Sequence, residues 1–227
     1  MGRIGMLIDL HTHTFFSDGD LSPAELIRRA ETQGYSVLAL TDHVDASNMD
    51  LVLGSLLSFH RETQPYLKVK VLIGVELTHI PPAQVPALVR RARSLGAHLV
   101  ILHGETISEP VEPGTNRAGI EAGVDILAHP GLITAEEIQL AAKRGVALEI
   151  SARPYHAYGN GRLLSLARKT NVCLVLNSDT HSPEDLLTQA TRDKVAFGAG
   201  MEQNELTQMI ERTVSLVQGF VQTTTIV

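Results

Sequence analysis

Short apolar runs of strand length alternate along this chain with longer stretches in which apolar residues return every three to four positions. The short runs occupy 6–10, 37–40, 71–75, 99–102, 126–128, 146–150 and 172–176, seven in all. Between them the helical period predicts helices over 22–33, 51–64, 82–95, 116–122, 134–144, 161–170 and 183–192, with a last helix near 202–216 after the Gly198 to Gly200 turn. Start and stop signals support several of these. Ser22 precedes Pro23 with Glu25 at the capping-box position, Thr134 precedes Glu137, and Gly34, Gly96 and Gly145 follow helix ends. Strand and helix in such regular alternation predict an α/β fold: a parallel sheet with helices outside, closed or nearly closed into a barrel. An open doubly wound sheet is the alternative, weakened because no Gly-rich phosphate loop follows the first run.

Composition adds limits rather than a function. Hydrophobic residues make up 44% and charged residues 19% of 227, with no long run of one sign, so one compact domain over residues 1–227 is expected. A net charge of −6 provides no global positive field for a long nucleic-acid backbone, and an anionic substrate must be held locally. With no Trp and only five Phe and four Tyr, a stacking platform for nucleic acid is not expected either. Cys173, in the apolar run 172–176, reads as a buried core residue; a lone cysteine fits a reducing compartment. The N-terminus lacks a signal-peptide pattern and no apolar run reaches membrane-spanning length, so a cytoplasmic protein without a membrane association is expected.

The chemistry lies where the strands end. The first run leads into "HTHT" with His11 and His13, whose side chains share one side of an extended chain, and then into a turn with Asp18. "TDH" with His43 follows the second run, and "GVE" with Glu76 closes the third. His103 ends the fourth in "ILHGE", His129 the fifth in "LAHPG", and "NSDTH" follows the seventh with Asp179 and His181. In a parallel barrel these C-terminal strand ends converge on one rim, where such folds build their sites. Nine candidate ligands thus gather on one face, among them six of the ten histidines. Nitrogen and oxygen donors without cysteine suit Zn²⁺, Mn²⁺ or Fe²⁺, and nine serve two or three ions at roughly four ligands each.

The sixth run departs from this pattern. It ends in "EISAR", and Arg153 offers a forked, permanently charged donor for phosphate oxygens; the bland alternative pairs it with a carboxylate such as Glu149 or with loop carbonyls. Arg117 at a helix start is a second phosphate candidate, while Glu105 and Asn177 are candidate substrate contacts or supports of the ligands. His79 and His156, in rim loops, are candidate substrate contacts for which ordinary loop polarity is the alternative. Asp42 is expected to orient an imidazole or cap a turn, and His60 and His98 to serve packing or surface roles.

The order HTHT…SDG, TDH, GVE, LHG, AHPG and NSDTH resembles the PHP family, named for polymerase and histidinol phosphatase, and spans His11 to His181. The resemblance is strongest to stand-alone histidinol-phosphatase-like phosphoesterases. It implies a distorted TIM-like (β/α)7 barrel with a trinuclear metal site at the C-terminal rim. It also implies that His11, His13, Glu76 and Asp179 serve a first ion, Glu76, His103 and His129 a second, and Asp18, His43 and His181 a third. Asp18 stands where some relatives carry histidine.

The expected function is therefore metal-dependent hydrolysis of a small phosphomonoester of the histidinol-phosphate kind, with hydroxide between two ions as nucleophile and Glu76, Asp179 and His181 as candidate catalytic residues. A metal-bound water, Asp179 or His156 is a candidate to protonate the leaving group. A nucleotide or short-oligonucleotide phosphodiesterase or exonuclease is the alternative. An amidohydrolase, which also begins with HxH after a barrel's first strand, does not normally carry the TDH, Glu and DxH stations. A non-catalytic metal-stabilised module has little support, since no ligand class is missing.

Overall fold

Consecutive parallel strands must be joined by crossovers, and this chain supplies a helix at almost every one. The computed structural model describes residues 6–224. It opens with β1 (Leu7–Asp9), α1 (Pro23–Gln33), β2 (Tyr35–Leu40), a two-residue β3 (His43–Val44), α2 (Met49–Thr63) and β4 (Lys70–Leu77). Then come α3 (Val85–Ser94), β5 (Leu99–His103), α4 (Thr115–Ala122), β6 (Ile126–Ala128), α5 (Ala135–Arg144) and β7 (Ala147–Ser151). The last elements are α6 (Asn160–Ala167), β8 (Leu174–Asn177), α7 (Gln189–Gly198) and α8 (Gln203–Thr224). Seven strands pair in parallel in the order β1, β2, β4, β5, β6, β7, β8, with β3 beside β4. The expected β/α barrel is the fold observed.

The barrel closes at its rim, between the two histidine-bearing segments. Thr12 and Thr180 form a parallel bridge. The Asp179 amide donates to the His11 carbonyl at 3.1 Å, and the His13 amide donates to the Thr180 carbonyl at 2.8 Å. Below them the Leu10 amide donates to Asn177 Oδ1 at 3.0 Å, and Asp9 accepts from the Ser178 amide at 3.2 Å. A short seam of backbone bonds therefore joins "HTH" to "DTH".

Two apolar clusters carry the fold. Leu10, Val37, Leu72, Ile101, Ile126 and Val175 fill the barrel, while Leu38, Leu40, Ile73, Leu102 and Leu148 face the helices outside. The last helix extends past the predicted 216 because Val217 and Phe220 join the cluster inside the barrel. Cys173 is half-buried against that same cluster instead of fully buried. No helix among the described residues is long and apolar enough to cross a membrane.

The helix predicted over 183–192 is the main local difference. Pro183–Asp185 makes one 3₁₀ turn, Leu186 leaves helical geometry to bury itself, and α7 begins only after Thr188. The Thr188 hydroxyl accepts from the Thr191 amide at 3.1 Å, so the second of two start signals wins. Thr188→Ala should cost about 1 kcal/mol of stability by urea unfolding, the typical loss of a cap; an unchanged midpoint would show that this residue does not start the helix.

Candidate metal centre

The rim is loaded by strand geometry and by strain. Alternation aims His11 and His13 into the barrel mouth, and β4 and β5 deliver Glu76 and His103 at their C-terminal ends. His129 and Asp179 arrive differently. They have φ of 27° and 56°, in the left-handed region that costs a non-glycine residue about 1–3 kcal/mol. Gly19 lets the Asp18 turn fold back on its own strand, since a Cβ there would lie 2.4 Å from the His13 carbonyl oxygen. Asp42 locks this turn by accepting from the Thr14 amide at 2.8 Å and the Ser17 hydroxyl at 2.7 Å.

All nine candidate ligands converge. His11 Nε2 lies 3.3 Å from Glu76 Oε2 and 3.6 Å from Asp179 Oδ1. His13 Nε2 lies 3.2 Å from Asp179 Oδ1 and 3.6 Å from Glu76 Oε2. The other Glu76 oxygen faces His129 Nε2 at 3.6 Å, beside His103, whose ring centroid is 4.4 Å from that of His129. On the outer side, Asp18 Oδ1 lies 3.2 Å from His181 Nε2 and 3.5 Å from His43 Nε2. Glu76 thus sits between two donor groups, with a third alongside.

These donors fit metal ions. His11 Nε2, His13 Nε2 and both Glu76 oxygens are buried without a hydrogen-bond partner, a costly state for polar groups unless a cation meets them. The opposite ring nitrogens are held. His11 Nδ1 donates to Glu149 Oε2 at 2.8 Å and His103 Nδ1 lies 3.2 Å from the Gly104 carbonyl; His43 Nδ1 lies between Thr78 Oγ1 at 2.6 Å and Glu76 Oε2 at 2.7 Å, which leaves its Nε2 facing Asp18. Anchoring one nitrogen so that the other points into the site is how proteins orient metal-binding imidazoles. Burial presses His13 down to about 3, keeping it neutral and able to ligate. Burial pushes Glu76 up, but His11 and His43 overcome it and hold the carboxyl well below its usual range.

A cleft of about 500 Å³ opens onto this cluster, lined by Asp18, His43, His79, His103, Arg153, His156, Asp179 and His181 among others. Arg153 Nη1 donates to the Asp179 carbonyl at 3.1 Å and lies 2.7 Å from His181 Nδ1. It does not pair with Glu149, whose Oε2 accepts from His11 and Asn177; the expected alternative of a loop carbonyl is the one observed, with the Asp179 carboxylate 3.8 Å from Nε. Two expected substrate contacts are not brought to the cleft. Glu105 accepts from the Gly114 and Asn116 amides at 2.9 Å, steadying the start of α4, and Arg117 is bonded along that helix to Glu121. Asn177 is likewise structural, bridging Leu10 and Glu149. His60 and His98 serve the opposite end of β4, bonding Val71 and Ile73 backbone groups.

Two functional positions were not singled out as such by the sequence. Glu149 carries a readable signal, since a carboxylate within an apolar strand run must find a partner. Glu109 lies in the proline-flanked loop "SEPVEPG", with no pattern to mark it, yet its carboxylate reaches His79, His103 and His156. Glu149→Gln should weaken metal affinity by about 10- to 100-fold, the usual effect of losing a ligand's supporting partner, measured by equilibrium dialysis. Unchanged affinity would separate His11 orientation from metal binding.

The family model described as PHP domain matches residues 9–106. An uncharacterized protein of Methanocaldococcus jannaschii is 43% identical over 203 residues, 88% of this chain and 93% of the relative. Ribonuclease P protein component 3 of Methanosarcina mazei is 34% identical over 205 residues, 83% of this chain and 79% of the relative. Among solved structures, a chain of archaeal ribonuclease P with mature tRNA aligns with TM-score 0.69 at 19% identity, covering 94% of this chain and 91% of that one. Histidinol phosphate phosphatase from Lactococcus lactis, complexed with zinc, L-histidinol and phosphate, aligns with TM-score 0.58 at 17% identity, covering 86% and 94%. The motifs at the strand ends, the barrel that brings them together and these relatives agree: the chain belongs to the PHP family.

Proposed function

We propose that this protein is a metal-dependent phosphoesterase acting on a small phosphate monoester of the histidinol-phosphate kind. The observation that carries the reading is the ring of nine nitrogen and oxygen donors, several buried and unbonded, at the floor of a cleft that also receives a guanidinium. His11, His13, Glu76 and Asp179 would hold a first ion, Glu76, His103 and His129 a second, and Asp18, His43 and His181 a third. Ions so held supply an activated nucleophile at neutral pH and neutralise charge on a phosphoryl group.

The chain's own groups do the rest. Arg153, about one-third exposed at the cleft wall, binds phosphoryl oxygens through its fork while its Nη1 stays tied to the Asp179 carbonyl. His79 lies at the same opening, in position to contact a bound ester. A cleft of about 500 Å³ is of a size that accepts a small molecule. Family membership and the fold shared with a histidinol phosphate phosphatase support the reaction type.

One observation favours a second reading, cleavage at the end of a short single strand. Phe15, Tyr155 and Tyr158 are 56%, 63% and 67% exposed in loops that follow β1 and β7. Exposed aromatic faces on loops that also carry cleft residues are suited to serve as platforms for bases, despite the low aromatic content, and a relative named ribonuclease P protein component 3 fits that direction. The net charge of −6 still disfavours long nucleic acid.

The test is to incubate Mn²⁺-reconstituted protein with L-histidinol phosphate and, in parallel, with end-labelled single-stranded oligonucleotides. Inorganic phosphate from the former supports the monoester reading; mononucleotides released from the latter, without phosphate from the former, support the second. His103→Ala and Asp179→Asn should each abolish turnover and lower metal content, and full activity in either would defeat the site. Arg153→Ala should raise KM by about 10- to 100-fold, because hydrogen bonds to charged groups contribute roughly 1.5–3 kcal/mol. An unchanged KM and kcat would remove Arg153 from the substrate.

A further inference from the structure

Four non-glycine residues among those described have positive φ, and all four lie in loops at the strand C-termini: His79 (51°), His129 (27°), Tyr155 (71°) and Asp179 (56°). Two of them belong to the nine candidate ligands. The other two deliver His79 and, one residue after Tyr155, His156. Strain of this kind persists where the surroundings over-determine it, and here it brings two more imidazoles to the cleft.

His156 is built as a ligand is built. It is only 7% exposed. Its Nδ1 lies 2.7 Å from Thr106 Oγ1 and 3.2 Å from Ser108 Oγ, which anchors that nitrogen and turns Nε2 toward the site. Its ring stacks on His129 with centroids 4.1 Å apart, and one donor atom from each of His103, His129 and His156 lies within 4.8 Å of the others. Glu109 spans the same space. Its Oε2 lies 3.2 Å from His103 Nε2 and 3.0 Å from His79 Nε2, and its Oε1 lies 3.3 Å from His156 Nε2.

We propose that His156 is a further ligand of the ion held by His103 and His129, and that Glu109 is the exchangeable ligand there, displaced when a phosphoryl oxygen enters. This rests on the reading of the rim as a metal centre. With Glu76 the position has four protein donors before Glu109 is counted, the number that characterises closed sites; three with an open position characterise catalytic ones. An ion so enclosed admits substrate by releasing a ligand. Glu109 is suited to leave, because its side chain is 35% exposed on the loop between β5 and α4, whereas His103, His129 and His156 are buried.

The experiment is a Zn²⁺ titration of metal-stripped protein, with bound ions counted by plasma mass spectrometry after dialysis. Wild type is compared with His103→Ala, His156→Ala, His156→Asn and Glu109→Gln, and thermal melts of the metal-free proteins establish folding. His156→Ala and His156→Asn should each lose one ion, with affinity at that position weakened by about 100-fold, at least the effect of removing a ligand's support. Glu109→Gln should keep the ion count, weaken zinc binding by about tenfold and bind inorganic phosphate more tightly than wild type does. Wild-type ion count and affinity in the His156 variants, with His103→Ala losing an ion, overturn the His156 assignment alone. Unchanged zinc and phosphate binding in Glu109→Gln, whose site on a partly exposed loop spares the core, overturns the exchangeable ligand. A wild-type protein that takes up no ion overturns both together with the metal reading itself.

Discussion

Glu76 is fully buried, its carboxyl is held low by its imidazole neighbours, and neither oxygen makes a hydrogen bond, although His43 Nδ1 lies 2.7 Å from Oε2. A carboxylate removed from water in this way costs several kcal/mol unless cations surround it. The rest of the rim can be understood as the answer to that cost. Four imidazoles from three strand ends close on its two oxygens, His11, His13 and His43 on one and His129 on the other. Charge that is merely shared with protonated histidines would rise and fall with pH; ions between the same donors would fix it.

The barrel is the device that brings those strand ends together. Its closing seam is not a full ladder. It is a bridge at Thr12 and Thr180 and two backbone bonds, placed so that "HTH" and "DTH" lie side by side. Paired ligands one residue apart on both sides of one seam therefore face the same space. Strained backbone at His129 and Asp179 then supplies ligands that regular strands could not aim. Stability and function meet here, since the same bonds that close the barrel set the positions of the donors.

Much of this was legible in the residues. Periodicity predicted the parallel barrel, and the placement of His and acidic residues at the ends of six apolar runs predicted the rim cluster. What stayed hidden has physical reasons. Glu149 was one alternative partner for Arg153 because strand position does not reveal which neighbour across the barrel claims a carboxylate; His11 does. Glu105 and Arg117 looked like substrate contacts because they sit near the rim in sequence, but backbone amides and Glu121 satisfy them first. Glu109 gave no signal, since a loop side chain acquires its role only from what the loop folds over. The helix expected over 183–192 failed because Leu186 gains more by burial than by continuing a turn.

The unbonded donors around Glu76 are placed so that they could hold ions. Anomalous diffraction from crystals grown with Mn²⁺ or Zn²⁺, collected on both sides of the absorption edge, tests it directly. The account predicts peaks on both sides of the Glu76 carboxylate, one flanked by His11, His13 and Asp179 and one by His103 and His129. Ions bound elsewhere, with an empty rim and protein donors turned in to satisfy the Glu76 oxygens, would contradict it.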